Sequence, residues 1–252
     1  MKSRVIQAPQ RPMRLTIKII EALQGLGGLF FPRHCLVCGR VLSEAERDLC
    51  RPCLEELPLT YQWDIVQNAA FERLARRFEL EAAATLFFFG SESPYRQIIY
   101  GIKYGGRRAL AERLGRLLGD FLARNADFRA CQAVVPVPLH PLRHWKRGYN
   151  QAERIARGIA AALQIPVETK LLRRHRHTKT QTRLHGEAKT QNVKDAFRLN
   201  GKRASALRAQ GISRLLLVDD VLTSGSTLSA CAALLHPPGF RLCAATLAFA
   251  SQ

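Results

Sequence analysis

The sequence predicts an α/β fold, a mainly parallel sheet flanked by helices, preceded by a small cysteine-bearing module. The short apolar runs "AAATLFFF", "QAVVPV", "RLLLVDDV" and "RLCAATLAFA" are too continuous for strands with one wet face and suit parallel strands covered on both sides. Segments of helical period alternate with them, as crossover helices do. Four of the seven cysteines are bunched as two C-x-x-C pairs near the N-terminus.

Taken in order, residues 1–34 read as an N-terminal extension in which "MRLTIKIIEALQ" (13–24) has partly helical period and "GLGG" ends it. Residues 35–60 read as the four-cysteine module, 61–82 as a charged, irregular connector, and 83–252 as the α/β domain. In "RRALAERLGRLLGDFLA", Leu110, Leu114, Leu117, Leu118 and Phe121 share a helical face expected to pack on the core. "NQAERIARGIAAAL" opens on Asn150, with Glu153 three residues on, the pattern of a capping box. After "RLLLVDDV", Leu228, Cys231, Ala232 and Leu235 form an apolar helix face, and Pro237, Pro238 and Gly239 stop that helix before the last strand.

The chain of 252 residues carries 39 Lys and Arg against 20 Asp and Glu, a net charge of +19, which points to polyanionic partners. No apolar run approaches the ~20 residues of a membrane span. Pro9, Pro12 and Lys18 interrupt any signal-peptide core, so a cytoplasmic location is expected. Cys131, Cys231 and Cys243 stand singly in apolar contexts and read as core residues. Cys35, Cys38, Cys50 and Cys53 offer four thiolates that can close tetrahedrally on one structural zinc ion, and Gly39 suits the knuckle turn after the first pair. Two disulfides or redox thiols are the alternative, which a reducing cytosol disfavours.

The stretch "LLLVDDVLTSGSTL" carries the chemistry. Asp219 and Asp220 sit where a buried strand ends, followed by Thr223, Ser224, Gly225, Ser226 and Thr227. In α/β sheets, ligands bind outside the carboxyl ends of the strands. A turn of small hydroxylated residues around one glycine can aim backbone N–H groups and hydroxyls at a phosphate. Two carboxylates just before it can accept hydrogen bonds from ribose hydroxyls. A Walker A loop is excluded, because no Lys follows the glycine, and no G-x-G-x-x-G is present. The pieces read as a ribose 5-phosphate site.

This stretch resembles the phosphoribosyl-pyrophosphate (PRPP) signature of type I phosphoribosyltransferases. With the four-cysteine module, "GIKYGGRRALAERLG", "VVPVPLHPLRHWKRGYNQAERIA" and "LLRRHRHTKTQTRLHGEAKTQNVKDAF", the chain is similar to the ComF/GntX family of DNA-uptake and DNA-utilisation proteins. The resemblance implies that Asp219 and Asp220 bind ribose hydroxyls and that Thr223 to Thr227 hold the 5′-phosphate. It places a pyrophosphate loop at Pro138 and Leu139, with Arg143, Lys146 and Arg147 as cationic partners. It assigns Lys179, Thr180, Gln181, Thr182, Arg183 and Asn192 to a flexible loop over the reactants, and it implies magnesium bridging diphosphate and ribose oxygens. Two departures stand out: Thr223 occupies a position where purine-salvage relatives carry an acid, and no N-terminal cysteine nucleophile is present, so the resemblance leaves the acceptor open.

Residues 170–214 hold thirteen Lys and Arg against Glu187 and Asp195, a local net of +11. Either these charges steer anionic PRPP, or they form a single-stranded DNA path with bases stacked on Trp145, Tyr149, Tyr100 or Tyr104. The sequence therefore supports two classes: a phosphoribosyltransferase that binds PRPP with magnesium, or a non-catalytic single-stranded DNA-binding protein that assists the DNA-import machinery.

Overall fold

The computed structural model describes residues 32–175 and 196–250, apart from the side chain of Lys146. The expected helix at 13–24 and the flexible-loop residues Lys179, Thr180, Gln181, Thr182, Arg183 and Asn192 lie outside the described residues. The chain forms two units divided after Leu54.

In the first unit, backbone bonds from Cys35 N–H to Arg40 O (2.8 Å) and from Leu42 N–H to Arg33 O (2.7 Å) close a tight hairpin. Gly39 makes its turn at φ +73°, a left-handed conformation natural to glycine. Glu46 secures the second loop by accepting from the N–H groups of Arg51 (2.7 Å) and Ser43 (2.9 Å). These bonds, with Arg40 at 2.9 Å, hold its carboxyl down at about 2. Helix α1 (Arg51–Glu55) follows.

The second unit is built on a four-stranded parallel sheet of β1 (Ala82–Phe89), β2 (Ala133–Pro136), β5 (Arg214–Leu222) and β6 (Arg241–Ala250), in the order β1-β6-β5-β2. The apolar runs become strands because both faces are covered: Leu215 to Val218 and Leu242 to Phe249 are buried throughout. The register sets Asp219 beside Thr246, and Pro136 beside Val218. A short antiparallel pair, β3 (Leu172–Arg174) with β4 (Phe197–Leu199), stands apart from this sheet. The helices of seven or more residues are α2 (Ala69–Ala75), α3 (Arg96–Tyr104), α4 (Arg108–Leu122), α5 (Pro141–Arg147), α6 (Gln151–Leu163), α7 (Gly201–Ala209) and α8 (Ser226–Leu235).

Three expectations need correction. The connector 61–82 is not irregular throughout. Asn68 accepts from the N–H groups of Ala70 and Phe71 (3.0 and 2.9 Å), starting α2, while its amide donates to Gln62 O, Ile65 O and Ala83 O. The face of α4 is also turned from the expected one. Leu110, Leu114, Leu118 and Leu122 are buried, whereas Leu117 and Phe121 are only partly so, and Phe121 stacks on Trp63 at 4.3 Å. The turn comes from glycine: α4 crosses α6 so closely that a Cβ on Gly115 would lie 2.3 Å from Ile155 O. Finally, the capping box on α6 does not form. Asn150 occupies the cap position but donates to Val137 O (3.0 Å), and Glu153 pairs with Arg157 at 2.7 Å. A carbonyl at the end of β2 takes the side chain that the pattern assigned to the helix.

Candidate functional site

The carboxyl ends of β2 and β5 open into a cleft of about 390 Å³. Asp219, Asp220, Thr223 and Thr227 line it from the β5–α8 side, and Pro138, Leu139, Arg143 and Arg147 from the β2–α5 side. Segments some eighty residues apart in the chain meet here because β2 and β5 are adjacent, parallel strands. Ser224, Gly225 and Ser226 complete the loop, with the Ser224 and Ser226 hydroxyls 3.0 Å apart. Gly225 has φ +76°, so the turn favours glycine, and Leu74 packs beneath it, its Cδ2 2.7 Å from where a Cβ would lie.

The acid pair is held under tension. Asp219 accepts the Asp220 N–H at 2.9 Å. Burial and the neighbouring Asp220 carboxylate push the Asp219 carboxyl up to about 7, against the pull of Lys103 and Arg174. Asp220 pairs with Lys103 Nζ at 3.3 Å. Two carboxylates facing a cleft, one of them reluctant to ionise without a partner, are suited to accept hydroxyl donors from a ligand.

The cleft holds residues that sequence reasoning missed. Lys103 arrives from the end of α3 and Arg174 from β3. Arg174 lies over the Phe197 ring at 5.0 Å, and burial, aided by Arg143, disfavours its charge. A counter-anion in the cleft would relieve both. Gln151 is 2% exposed; its Oε1 accepts from Arg147 Nη1 at 3.1 Å, and its amide nitrogen has no hydrogen-bond partner among the described residues. A buried amide donor at a cleft wall fits an acceptor oxygen on a ligand. The run "GYNQ" carried this signal, since a polar residue in the first turn of an otherwise apolar helix face has to find a partner.

The aromatic residues divide. Tyr149 is 4% exposed and its hydroxyl donates to Ile102 O, so it belongs to the core and not to a stacking surface. Tyr100 and Tyr104 line the cleft and are exposed, Arg147 lies 5.1 Å over the Tyr104 ring, and Trp145 is 83% exposed. The basic excess of 170–214 is partly consumed by structure. Arg203 binds Glu168 (2.8 Å from Nε), Arg214 binds Glu81 (3.0 Å), and Arg208 lies over Phe240 at 5.7 Å.

In the first unit, Cys35, Cys38, Cys50 and Cys53 place their sulfurs within 4.8 Å of one another. Cys38 Sγ and Cys50 Sγ are 3.6 Å apart, close to the ~3.8 Å edge of a tetrahedron with ~2.3 Å zinc–sulfur bonds. Although burial opposes it, N–H groups of Cys38, Cys50 and Val37 hold the Cys35 thiol down at about 6. Burial pushes the Cys50 and Cys53 thiols the other way, so it is the clustered geometry of the four sulfurs that fits a structural zinc ion with no open position. Cys131, Cys231 and Cys243 are buried in the second unit. Among the described residues, no helix is long and apolar enough to cross a membrane.

Comparison with known proteins agrees with this arrangement. The family profile of the double zinc ribbon domain matches residues 26–63. Competence protein F of Haemophilus influenzae is 35% identical over 151 residues, 58% of this chain and 63% of that protein. DNA utilization protein YhgH of Salmonella typhimurium is 33% identical over 145 residues, 56% of this chain and 61% of that protein. In both cases the aligned part covers less than two thirds of the relative's length. YhgH of Escherichia coli K12 is 33% identical over 204 residues, 80% of this chain and 83% of that protein. That extent of identity, on a parallel α/β sheet of phosphoribosyltransferase type with a four-cysteine zinc module before it, places the chain in the ComF/GntX family.

Proposed function

We propose that the cleft binds PRPP or a closely related ribose 5-phosphate, with magnesium, and that the protein serves DNA uptake or utilisation as the names of its relatives indicate. One observation carries this reading. The acid pair, the hydroxylated loop, the Pro138–Leu139 turn and four cations (Lys103, Arg143, Arg147 and Arg174) converge on a single cavity.

In this reading Asp219 and Asp220 accept the ribose hydroxyls, and the loop from Thr223 to Thr227 donates to the 5′-phosphate. Arg143, Arg147 and Arg174 face the diphosphate; Lys146 stays a candidate from the resemblance alone, its side chain lying outside the description. The oxygen-rich cleft suits magnesium, which would neutralise the diphosphate and make it a better leaving group. The cations then favour breakage of the bond between C1 and the diphosphate oxygen, while the acids keep the ribose in register with the acceptor. Thr223 cannot act as a base on that acceptor; its carbonyl instead accepts from Arg73 Nη1 at 2.9 Å.

Calorimetric titration with PRPP and magnesium is the test. The wild-type protein should bind, and Asp219→Asn with Asp220→Asn should lose binding while remaining folded. Equal affinity in both proteins would remove the acid pair from the site. The second reading, a binding protein for single-stranded DNA, is supported by Trp145, Tyr100 and Tyr104, which leave aromatic surface exposed at or near the cleft. It predicts DNA binding that survives loss of the acids, with no diphosphate release.

A further inference from the structure

The cleft adjoins, at Thr223, a second cavity of about 660 Å³. Its walls are Thr223 and Ser224 of the loop, and Glu72, Arg73, Arg76 and Arg77 from α2 and the turn after it. Arg73 lies on α2 itself, and Arg76 and Arg77 follow in the turn that ends it. Helix α2 is braced against the loop. Leu74 packs under Gly225, and Arg73 donates to Thr223 O (2.9 Å) and Ala250 O (3.0 Å) while lying 4.0 Å over the Phe249 ring. Arg73 therefore shapes the groove. Arg76 and Arg77 are exposed along it, and Glu72 is the one acid among its lining residues.

We propose that this groove takes the strand on the 5′ side of a nucleotide held in the cleft, so that the ligand is the 3′-terminal nucleotide of a single-stranded nucleic acid. The inference rests on the ribose 5-phosphate reading of the cleft. The acids accept from hydroxyl donors, so the 3′ oxygen of the bound sugar must be a free hydroxyl, which makes that nucleotide terminal. The 5′-phosphate on the loop is then a diester, and the chain attached to it continues past Thr223 and Ser224. The groove it meets is basic and, at about 660 Å³, has room for a further nucleotide.

The test uses the full-length protein and four probes: PRPP with magnesium, thymidine 5′-diphosphate, and a 5′-fluorescein hexathymidylate ending in either a 3′-hydroxyl or a 3′-phosphate. The 3′-hydroxyl strand should bind at least about tenfold more tightly than the 3′-phosphate strand. Arg76→Gln with Arg77→Gln should remove about tenfold of its affinity and flatten its salt dependence by about 1.4 log units, two phosphates at ~0.7 each. PRPP affinity in that variant should stay within twofold, which also shows that it folds. Equal affinity for the two strand ends, or indifference of the strand to both substitutions, overturns the proposal. So does a diphosphate that binds the wild-type protein as tightly as the strand, since the groove would then serve an anhydride. If PRPP does not bind the wild-type protein while the strand keeps its dependence on the 3′-hydroxyl and on both arginines, the PRPP reading falls and the strand-end site stands.

Discussion

Replacing Asp219 by Asn should make the protein more stable, and only where the carboxyl would otherwise be charged. Burial and Asp220 raise the Asp219 carboxyl from the ordinary 3.8 to about 7. The folded state therefore holds a proton that the unfolded chain releases between those values. Stability is full below about pH 4, falls as pH rises toward 7, and is flat above it. The displacement of about 3 pH units, at 1.36 kcal/mol each, bounds the cost near 4 kcal/mol. Asp219 is only partly buried, so water screens it, and roughly half of that bound, about 2 kcal/mol, is the expected effect. The amide keeps an oxygen to accept the Asp220 N–H, so the geometry survives the change. At about 2–4 °C per kcal/mol, Asp219→Asn should raise the melting temperature by about 4–8 °C at pH 8 and by almost nothing at pH 4. Thermal melts of both proteins across that range, with urea titrations at the two ends, measure it. The same variant should lose PRPP binding, stability having been given up for function. A variant equally or less stable at every pH, or one whose gain does not vary with pH, would refute the view of Asp219 as a strained acid.

Three further outcomes are expected. The purified protein should carry one zinc ion per chain, lost in Cys50→Ser; elemental analysis and a colorimetric zinc release assay after thiol modification check this, and a metal-free wild-type protein would contradict it. Lys103→Met removes the cation 3.3 Å from Asp220 and should weaken PRPP binding by about tenfold, with little effect on melting temperature at pH 5, as titration calorimetry and thermal melts would report. Asn68→Ala removes the two cap bonds of α2 and three donor bonds to carbonyls, and should cost about 2–3 kcal/mol in urea denaturation.

Features whose physics is local could be read from the sequence alone. The turn of strand into loop into helix at Leu215–Leu235 places two acids and five small residues together whatever else the chain does. The two C-x-x-C pairs likewise announce a tetrathiolate by spacing, and continuous apolar runs announce strands covered on both faces. What only the tertiary structure decided is who joins them. Lys103, Gln151 and Arg174 reach the cleft because parallel strands and their crossovers bring distant segments to one sheet edge, and no periodicity encodes that meeting. Helical period marked α4 as amphipathic, yet which face is buried was settled by the close approach that Gly115 allows to α6. Asn150 shows the same limit, since its position marks a cap but the Val137 carbonyl just past β2, thirteen residues away, captures its amide. Tyr149 and Trp145, four residues apart, have opposite fates because one ring lies over the core and the other over solvent. Contacts between segments far apart in the chain depend on the packing of the whole, and a pattern in sequence describes only the stretch that carries it.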